Sequence, residues 1–313
     1  KVEKTNMPQK GTISIEKTGE VFFGVSVSGG TDENGQELPV IYQPIYETQG
    51  LPDTVYEIRT AEDVVTPDGT LRYSKGELVD TVTTDEMGFA ESKELYLGKY
   101  EVKEVKAGYG MVLSDEVHTV ELIYAGQNVA VTETATSFVN ERQKVEVSLE
   151  KALETSELFG IGNNGEIKNI SFGLFADEEL VSASGTSIPK DGLIEIITLD
   201  ENGKATVKTD LPLGSYYVKE LATDEHYQLS SEKYPVVFEY AGQETATVAI
   251  AVNNGEPMEN KLIYGSVSGK KVDENGEGLG GALIGLFKSD DVEFTKENAL
   301  MTAVSGDDGS FSF

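Results

Sequence analysis

The sequence predicts an all-β chain built from repeated units. Three observations carry this: short segments that alternate apolar and polar residues, turn signals between them, and a self-similarity of the whole pattern at long range. TISIEK, VHTVELIY, KVEVSLEK, YPVVFEY and TATVAIAV are the clearest strand segments, rich in Val, Ile, Thr and Tyr. TPDG at 66–69, DENG at 32–35, 200–203 and 273–276, and GDDG at 306–309 supply the turns. No long helical period interrupts them, and ENALM at 297–301 has room for about one turn.

Taken in order, GTISIEK opens a unit that continues through VYEIRTAEDV, TTDEMG, LGKYEVKE and VELIYAGQNVAVT to FVN. The same series returns as KVEVSLEK, SFGLFADEEL, a DENG turn, LGSYYVKE, VVFEYAGQETATVAI and MEN. VSGKK, LIGLFKSDDV and GDDGSFSF open a third copy, whose own Tyr-x-x-x-Glu element would fall beyond Phe313. The expected units are therefore 11–143 and 144–261, with 262–313 as the N-terminal part of a third, truncated one and 1–10 as the closing strand of an upstream domain.

Composition narrows the function. Fifty-five acidic residues against 25 basic ones leave a formal net charge of −30, which disfavours nucleic acid and anionic membrane surfaces as partners. The excess is spread along the chain, as expected of a solvated acidic surface. Cysteine is absent, so disulfides, thiolate metal sites and cysteine nucleophiles are excluded together. No apolar run approaches the roughly 20 residues that span a bilayer.

Alternation places unusual residues inward. In a strand, alternate side chains share a face, so Glu104 lies with Tyr100 and Val102, and Glu220 with Tyr216 and Val218. Lys17 falls on the face of Ile13 and Ile15, and Lys151 on that of Val147 and Leu149; Asn140 aligns with Phe138 and Asn260 with Met258. One spacing sets the register of the array, because Asn6, Asn140 and Asn260 each precede a lysine, Lys17, Lys151 and Lys271, by eleven residues. Burying a lone charge costs several kcal/mol, so each inward glutamate needs a reason.

Desolvation lowers the pKa of a lysine and raises that of a glutamic acid, so a packed pair can exist as neutral amine beside neutral acid. The amine is then a nucleophile. A carboxyl bonded to an asparagine amide polarises its carbonyl and shuttles protons to departing ammonia, which yields an isopeptide bond. Effective molarities of about 10⁵ M for fixed neighbours, roughly 7 kcal/mol off the barrier, make one spontaneous turnover feasible without an enzyme. An ordinary buried ion pair or hydrogen-bonded trio is the alternative for the same residues.

The opening I-x-I-x-K strand, the G-x-Y-x-V-x-E element and the closing F-x-N strand resemble the Cna-B-type, prealbumin-like domains of Gram-positive surface proteins, as in SpaA-type pilins. The resemblance covers essentially the whole chain. It implies tandem immunoglobulin-like β-sandwiches in which Glu104 promotes a Lys17–Asn140 bond and Glu220 a Lys151–Asn260 bond. Asn6 and Lys271 would be crosslinking residues whose partners lie outside the sequence. KAGYG and ATDEHYQL depart from the Pro-x-Gly-Tyr turn that often follows the glutamate in that family.

The implied function is a stalk module of a cell-surface adhesin or pilus-like protein, extracellular and attached to the cell wall through a region outside this sequence. No cofactor or metal is implied, and the only catalysis is single-turnover self-crosslinking. Neighbouring domains of the same chain are the expected partners, with a host surface or matrix ligand as a further one and no membrane insertion. The second reading is a ligand-binding adhesin module that recognises a host protein or glycan. Its best support is GGTDENGQELPVIYQPIYETQG at 29–50, an insertion in the first unit whose aromatic residues suit a contact loop, although a hairpin packed on the sandwich is the blander expectation.

Other signals are discounted. LPDTV at 51–55 resembles an LPxTG sorting signal but ends in Val and has no apolar span after it; YPVV at 234–237 lacks the lysine of a Tyr-Pro-Lys pilin motif. The DENG segments lack the spaced carboxylates of an EF-hand loop. His118 and His226 are far apart in sequence, and GIGNNGE at 160–166 reads as a surface loop because no helix pattern follows it.

Overall fold

The computed structural model describes residues 7–31 and 35–313. Asn6, most of the predicted closing strand 1–10 and most of the first DENG turn therefore lie outside the described residues. Among those described, the chain is strands, turns and two short 3₁₀ turns, and no helix is long and apolar enough to cross a membrane.

In the first unit, β1 (Lys10–Thr31) pairs with β2 (Glu37–Gly50); β3 (Val55–Thr60), β4 (Leu78–Thr83), β5 (Phe89–Glu91) and β6 (Leu95–Tyr96) follow, then β7 (Gly98–Lys106), β8 (Val117–Leu122) and β9 (Val131–Asn140). One sheet has the order β9-β1-β2, with β5 and β6 also paired to β1, and the facing sheet runs β8-β7-β3-β4. Their inward residues, among them Ile13, Ile15, Tyr56, Ile58, Tyr100, Val102 and Phe138, form one core. Period-2 alternation is visible in β7, where Tyr100, Val102 and Glu104 are buried and the residues between them exposed.

The second unit repeats the plan. Its strands are β10 (Lys144–Leu153), β11 (Ser171–Ala176), β12 (Leu193–Thr198), β13 (Lys204–Thr206), β14 (Gly214–Ala222), β15 (Lys233–Phe238), β16 (Thr247–Ala251) and β17 (Met258–Asn260). β10 pairs with β13, β16 and β17, and the facing sheet has the order β12-β11-β14-β15. A second core, including Val147, Leu149, Phe172, Tyr216, Val218 and Met258, lies between them. In both units the first strand runs parallel to the last: Lys17 sits opposite Phe138, and Lys151 opposite Met258. Residues 262–313 carry two further antiparallel pairs, β18 (Ser268–Lys270) with β21 (Ser310–Ser312) and β19 (Leu283–Leu286) with β20 (Met301–Val304).

The DENG turns at 200 and 273 close through their aspartates. Asp200 Oδ1 accepts the Asn202 and Lys204 N–H groups at 2.8 Å, and Asp273 Oδ1 accepts those of Asn275 and Glu277 at 2.8 and 2.9 Å. The last residue of GIGNNGE opens a four-residue 3₁₀ turn, Glu166–Asn169, too short to give a helical period in the sequence.

The insertion is a hairpin, as expected, but it starts earlier and docks elsewhere. β1 continues fourteen residues past Lys17, and β1 and β2 together reach the second unit. Phe22, Val25 and Tyr42 pack against the second unit's core. The Ala183 and Ser184 N–H groups donate to the Phe22 and Phe23 carbonyls at 3.0 and 2.9 Å, and the Tyr46 hydroxyl to the Asp210 carbonyl at 3.0 Å. The residues between β9 and β10 join this contact. Arg142 is buried between the units, bonded to Glu20 at 3.0 Å, to Asp210 and to the Leu211 carbonyl, with its guanidinium 3.9 Å from the Tyr46 ring.

Candidate functional site

Strand register brings together three buried polar residues in each complete unit. β1 supplies Lys17, β7 Glu104 and β9 Asn140; each is at most 2% exposed. Lys17 Nζ donates to Glu104 Oε2 at 2.7 Å and also to Asn140 Oδ1. Asn140 Nδ2 donates to Glu104 Oε1 at 2.6 Å, so the carboxylate bridges amine and amide with one oxygen for each. Phe138 roofs the amine, its ring centroid 5.9 Å from Nζ, and Tyr56 packs on Phe138 with centroids 4.9 Å apart. Burial lowers the Lys17 pKa from its ordinary 10.5, against the opposing pull of Glu104.

The second unit builds the same trio from β10, β14 and β17. Lys151 Nζ donates to Asn260 Oδ1 at 2.6 Å, and Asn260 Nδ2 to Glu220 Oε1 at 2.8 Å. The lysine–glutamate contact is longer, 3.4 Å. Burial again lowers the lysine, with Glu220 opposing, and Phe172 takes the roofing position 5.8 Å from Nζ. Of the other crosslink candidates, Lys271 lies just past β18 and is exposed, its Nζ 3.4 Å from the Val272 carbonyl. Asn6 is outside the described residues.

The surroundings differ in ways that sequence reasoning missed. Ser230 N–H donates to Glu220 Oε2 at 2.8 Å, and Asn260 Nδ2 also donates to Thr223 Oγ1 at 2.9 Å. In the first unit Ala107 stands where the second has Thr223, and Tyr56 where it has Phe172; both glutamates pair across the sheet with that aromatic residue. Aligning LPDTVYEI with IKNISFGL would have revealed the Tyr/Phe exchange; a backbone donor such as Ser230 N–H leaves no mark in sequence.

Neither histidine joins a trio. His118 stacks on the outer side of Phe138 with centroids 4.0 Å apart and its Nδ1 is 2.7 Å from Thr136 Oγ1, while His226 Nδ1 is 2.6 Å from Asp224 Oδ1. Leu51–Val55, the stretch like a sorting signal, forms a turn with Asp53 at φ 57° and leads into β3.

The SpaA prealbumin-like fold domain model matches residues 45–137 and again 160–254, more than half of the chain. The chain belongs to this SpaA family. Each matched span contains the glutamate and stops short of the unit's lysine and asparagine. Among curated proteins, the trypsin-resistant surface T6 protein of Streptococcus pyogenes serotype M6 is 27% identical over 142 residues, 44% of this chain and 25% of that protein. The solved structure of the Bacillus anthracis TIE protein superposes with a TM-score of 0.58 at 19% identity, covering 97% of this chain and 43% of that one. BcpA, the major pilin subunit of Bacillus cereus, aligns over 97% of this SpaA-family chain and 84% of its own, at 14% identity and a TM-score of 0.32. The chain thus spans a quarter of the curated relative and less than half of TIE, and the superposition on TIE speaks for the fold.

Proposed function

We propose that residues 11–143 and 144–261 are stalk modules of a Gram-positive cell-surface protein, each locked by a lysine–asparagine isopeptide bond that its buried glutamate promotes. Residues 262–313 are the start of a third module. The observation that carries the reading is the recurrence, in one register, of a buried Lys–Glu–Asn trio across the parallel first and last strands of both units. The family match and the likeness to a streptococcal surface protein support the setting outside the cell.

The chemistry follows from the bridging carboxylate. Lys17 gives one proton to Glu104 Oε2, and the neutral Nζ attacks Asn140 Cγ. The carboxyl hands that proton to Nδ2, which leaves as ammonia; the next proton on Nζ returns to the carboxylate. The products are an Nζ–Cγ amide, ammonia and a neutral Glu104, with every proton accounted for. No outside substrate is consumed and each unit turns over once.

A bond between residues 123 apart in the first unit, and 109 in the second, closes a long loop. Loop-entropy arguments give such a link about 4.7 kcal/mol. Its mechanical consequence is larger. Tension entering β1 ahead of Lys17 leaves β9 after Asn140 through the new amide, so the sandwich between them is not stretched. The hairpin docked on the second unit and the buried Arg142 make the joint stiff, which supports a rod over a free ligand loop. The test is the intact mass of the denatured chain beside Glu104→Ala and Glu220→Ala. The expected result is a deficit of two ammonia molecules, falling to one in each variant; a mass equal to the sequence overturns the reading.

A further inference from the structure

The first unit holds a buried polar atom that the trio alone does not explain. Tyr56 is fully buried on β3, directly across from Glu104 on β7, and its hydroxyl makes no hydrogen bond of ordinary geometry. A buried, unpartnered hydroxyl costs about 1–3 kcal/mol, and phenylalanine, the residue at the matching place in the second unit, would avoid that cost. The hydroxyl faces a single acidic group. Burial, then the Glu104 carboxylate beside it, push the Tyr56 pKa far above its ordinary 10.0.

The two glutamates also differ in what else they accept. Glu220 Oε1 takes the amide and Oε2 the Ser230 N–H at 2.8 Å, a third anchor beyond lysine and asparagine. Glu104 has no such backbone donor among the bonds of the described residues; its oxygens take Lys17 and Asn140. A carboxylate oxygen can accept two donors, so each Glu104 oxygen, with one partner apiece, has room for another bond, and a third donor limits how far the carboxyl can rock off the amine and the amide.

We propose that the Tyr56 hydroxyl is the positioning group for Glu104, donating to its carboxyl in the first unit as the Ser230 N–H does for Glu220 in the second. It touches neither reacting atom. Its work is to keep one carboxyl oxygen on the amine and the other on the amide while the bond forms. The inference rests on the crosslinking reading above, and the two fail differently.

The experiment follows bond formation in the full chain made by cell-free synthesis, with time points quenched in denaturant and each ammonia loss assigned to its unit after proteolysis. Y56F is expected to slow the first bond about tenfold, the effect of losing one hydrogen bond to a charged group, and to leave the second bond's rate unchanged. Unaltered rates for both bonds overturn the proposal. If the unsubstituted chain loses no ammonia, the crosslinking reading falls and this one with it. A second measurement needs no substitution: NMR of the unsubstituted protein should reveal a slowly exchanging Tyr56 hydroxyl proton with a nuclear Overhauser contact to the Glu104 side chain. That signal supports the contact even where Y56F fails to fold, and a hydroxyl proton in fast exchange overturns it.

Discussion

The two complete units present the same three residues in the same register and surround them differently. In the first, lysine meets glutamate at 2.7 Å beneath Phe138 and beside a tyrosine hydroxyl; in the second, the contact is 3.4 Å and a backbone N–H and a threonine hydroxyl join in. What they share is fixed by strand geometry: parallel first and last strands, with the lysine opposite the residue two before the asparagine. The trio therefore depends on register, and its periphery is free to vary. A second contrast lies at the ends. The first unit extends β1 into a hairpin that grips its neighbour, and β10 stops at Leu153.

The largest expected effect removes the feature the units share from one of them. Glu104→Ala should abolish the first bond and lower the first unit's unfolding free energy by about 5 kcal/mol on the loop-entropy model, with the second unit's transition unmoved. Glu220→Ala should do the reverse. Denaturant unfolding with mass analysis of each half reads both, and equal loss in both units from either variant would mean the trios are not independent.

Next in size is the joint, where the units differ most. Arg142 sits where the second unit has Leu262: Met111 bridges to Arg142, and Tyr227 to Leu262. Arg142→Ala removes a buried guanidinium from Glu20, Asp210 and the Tyr46 ring and leaves Asp210 without its closest cation. A loss of about 1–2 kcal/mol is expected, because the carboxylates left behind are half-exposed and water takes over much of the pairing, read as two separated unfolding transitions and a broader range of inter-unit angles in small-angle scattering. Replacing the exposed Leu38 and Val40 of β2 by Ser should leave both signals nearly intact, because the gripping residues, Phe22, Val25, Tyr42 and Tyr46, lie nearer the hairpin's base.

These contrasts mark what the sequence could reveal. The trio was legible because a period of two residues and two repeats place Lys17, Glu104 and Asn140 inward without any knowledge of packing. The sandwich was legible for the same reason. The hairpin's target was not, since VFFGVSVSGG alternates well enough to be a strand but says nothing about which unit will receive Phe22 and Val25. Arg142 follows the closing FVN strand in ERQK, which carries no apolar alternation to mark burial; that burial depends on Glu20 and Asp210, residues more than 60 positions away on either side. Tyr56 carries no mark of its place in sequence, since VYEIRT reads as an ordinary strand and only the burial of its hydroxyl beside Glu104 sets it apart.

The smallest effect belongs to a pair found in the second unit alone. Asp224 and His226 stand where the first unit has Gly108 and Gly110, in the loop after the glutamate strand. The hydrogen bond that the His226 ring donates to the Asp224 carboxylate raises the His226 pKa above 6.5. Burial acts to raise Asp224, but bonds from Asn169 and His226 outweigh it and hold Asp224 below 3.8. The signs then follow. The histidine's contribution is complete below 6.5 and is lost as pH rises through its raised value; the aspartate's is complete above 3.8 and is lost as pH falls through its lowered one. Both operate together between those limits. The second unit's melting temperature, taken relative to the first unit's, should therefore be highest in that window and decline on either side. His226→Gln should flatten the alkaline decline and leave the first unit unchanged. The Ile263 N–H donates to the His226 carbonyl at 2.8 Å, so the same variant should loosen the seam to residues 262–313 very little, because that bond uses backbone and not the ring. A decline of equal size in the first unit, which has glycines at both places, would trace the pH dependence to the trios and remove His226 as its source.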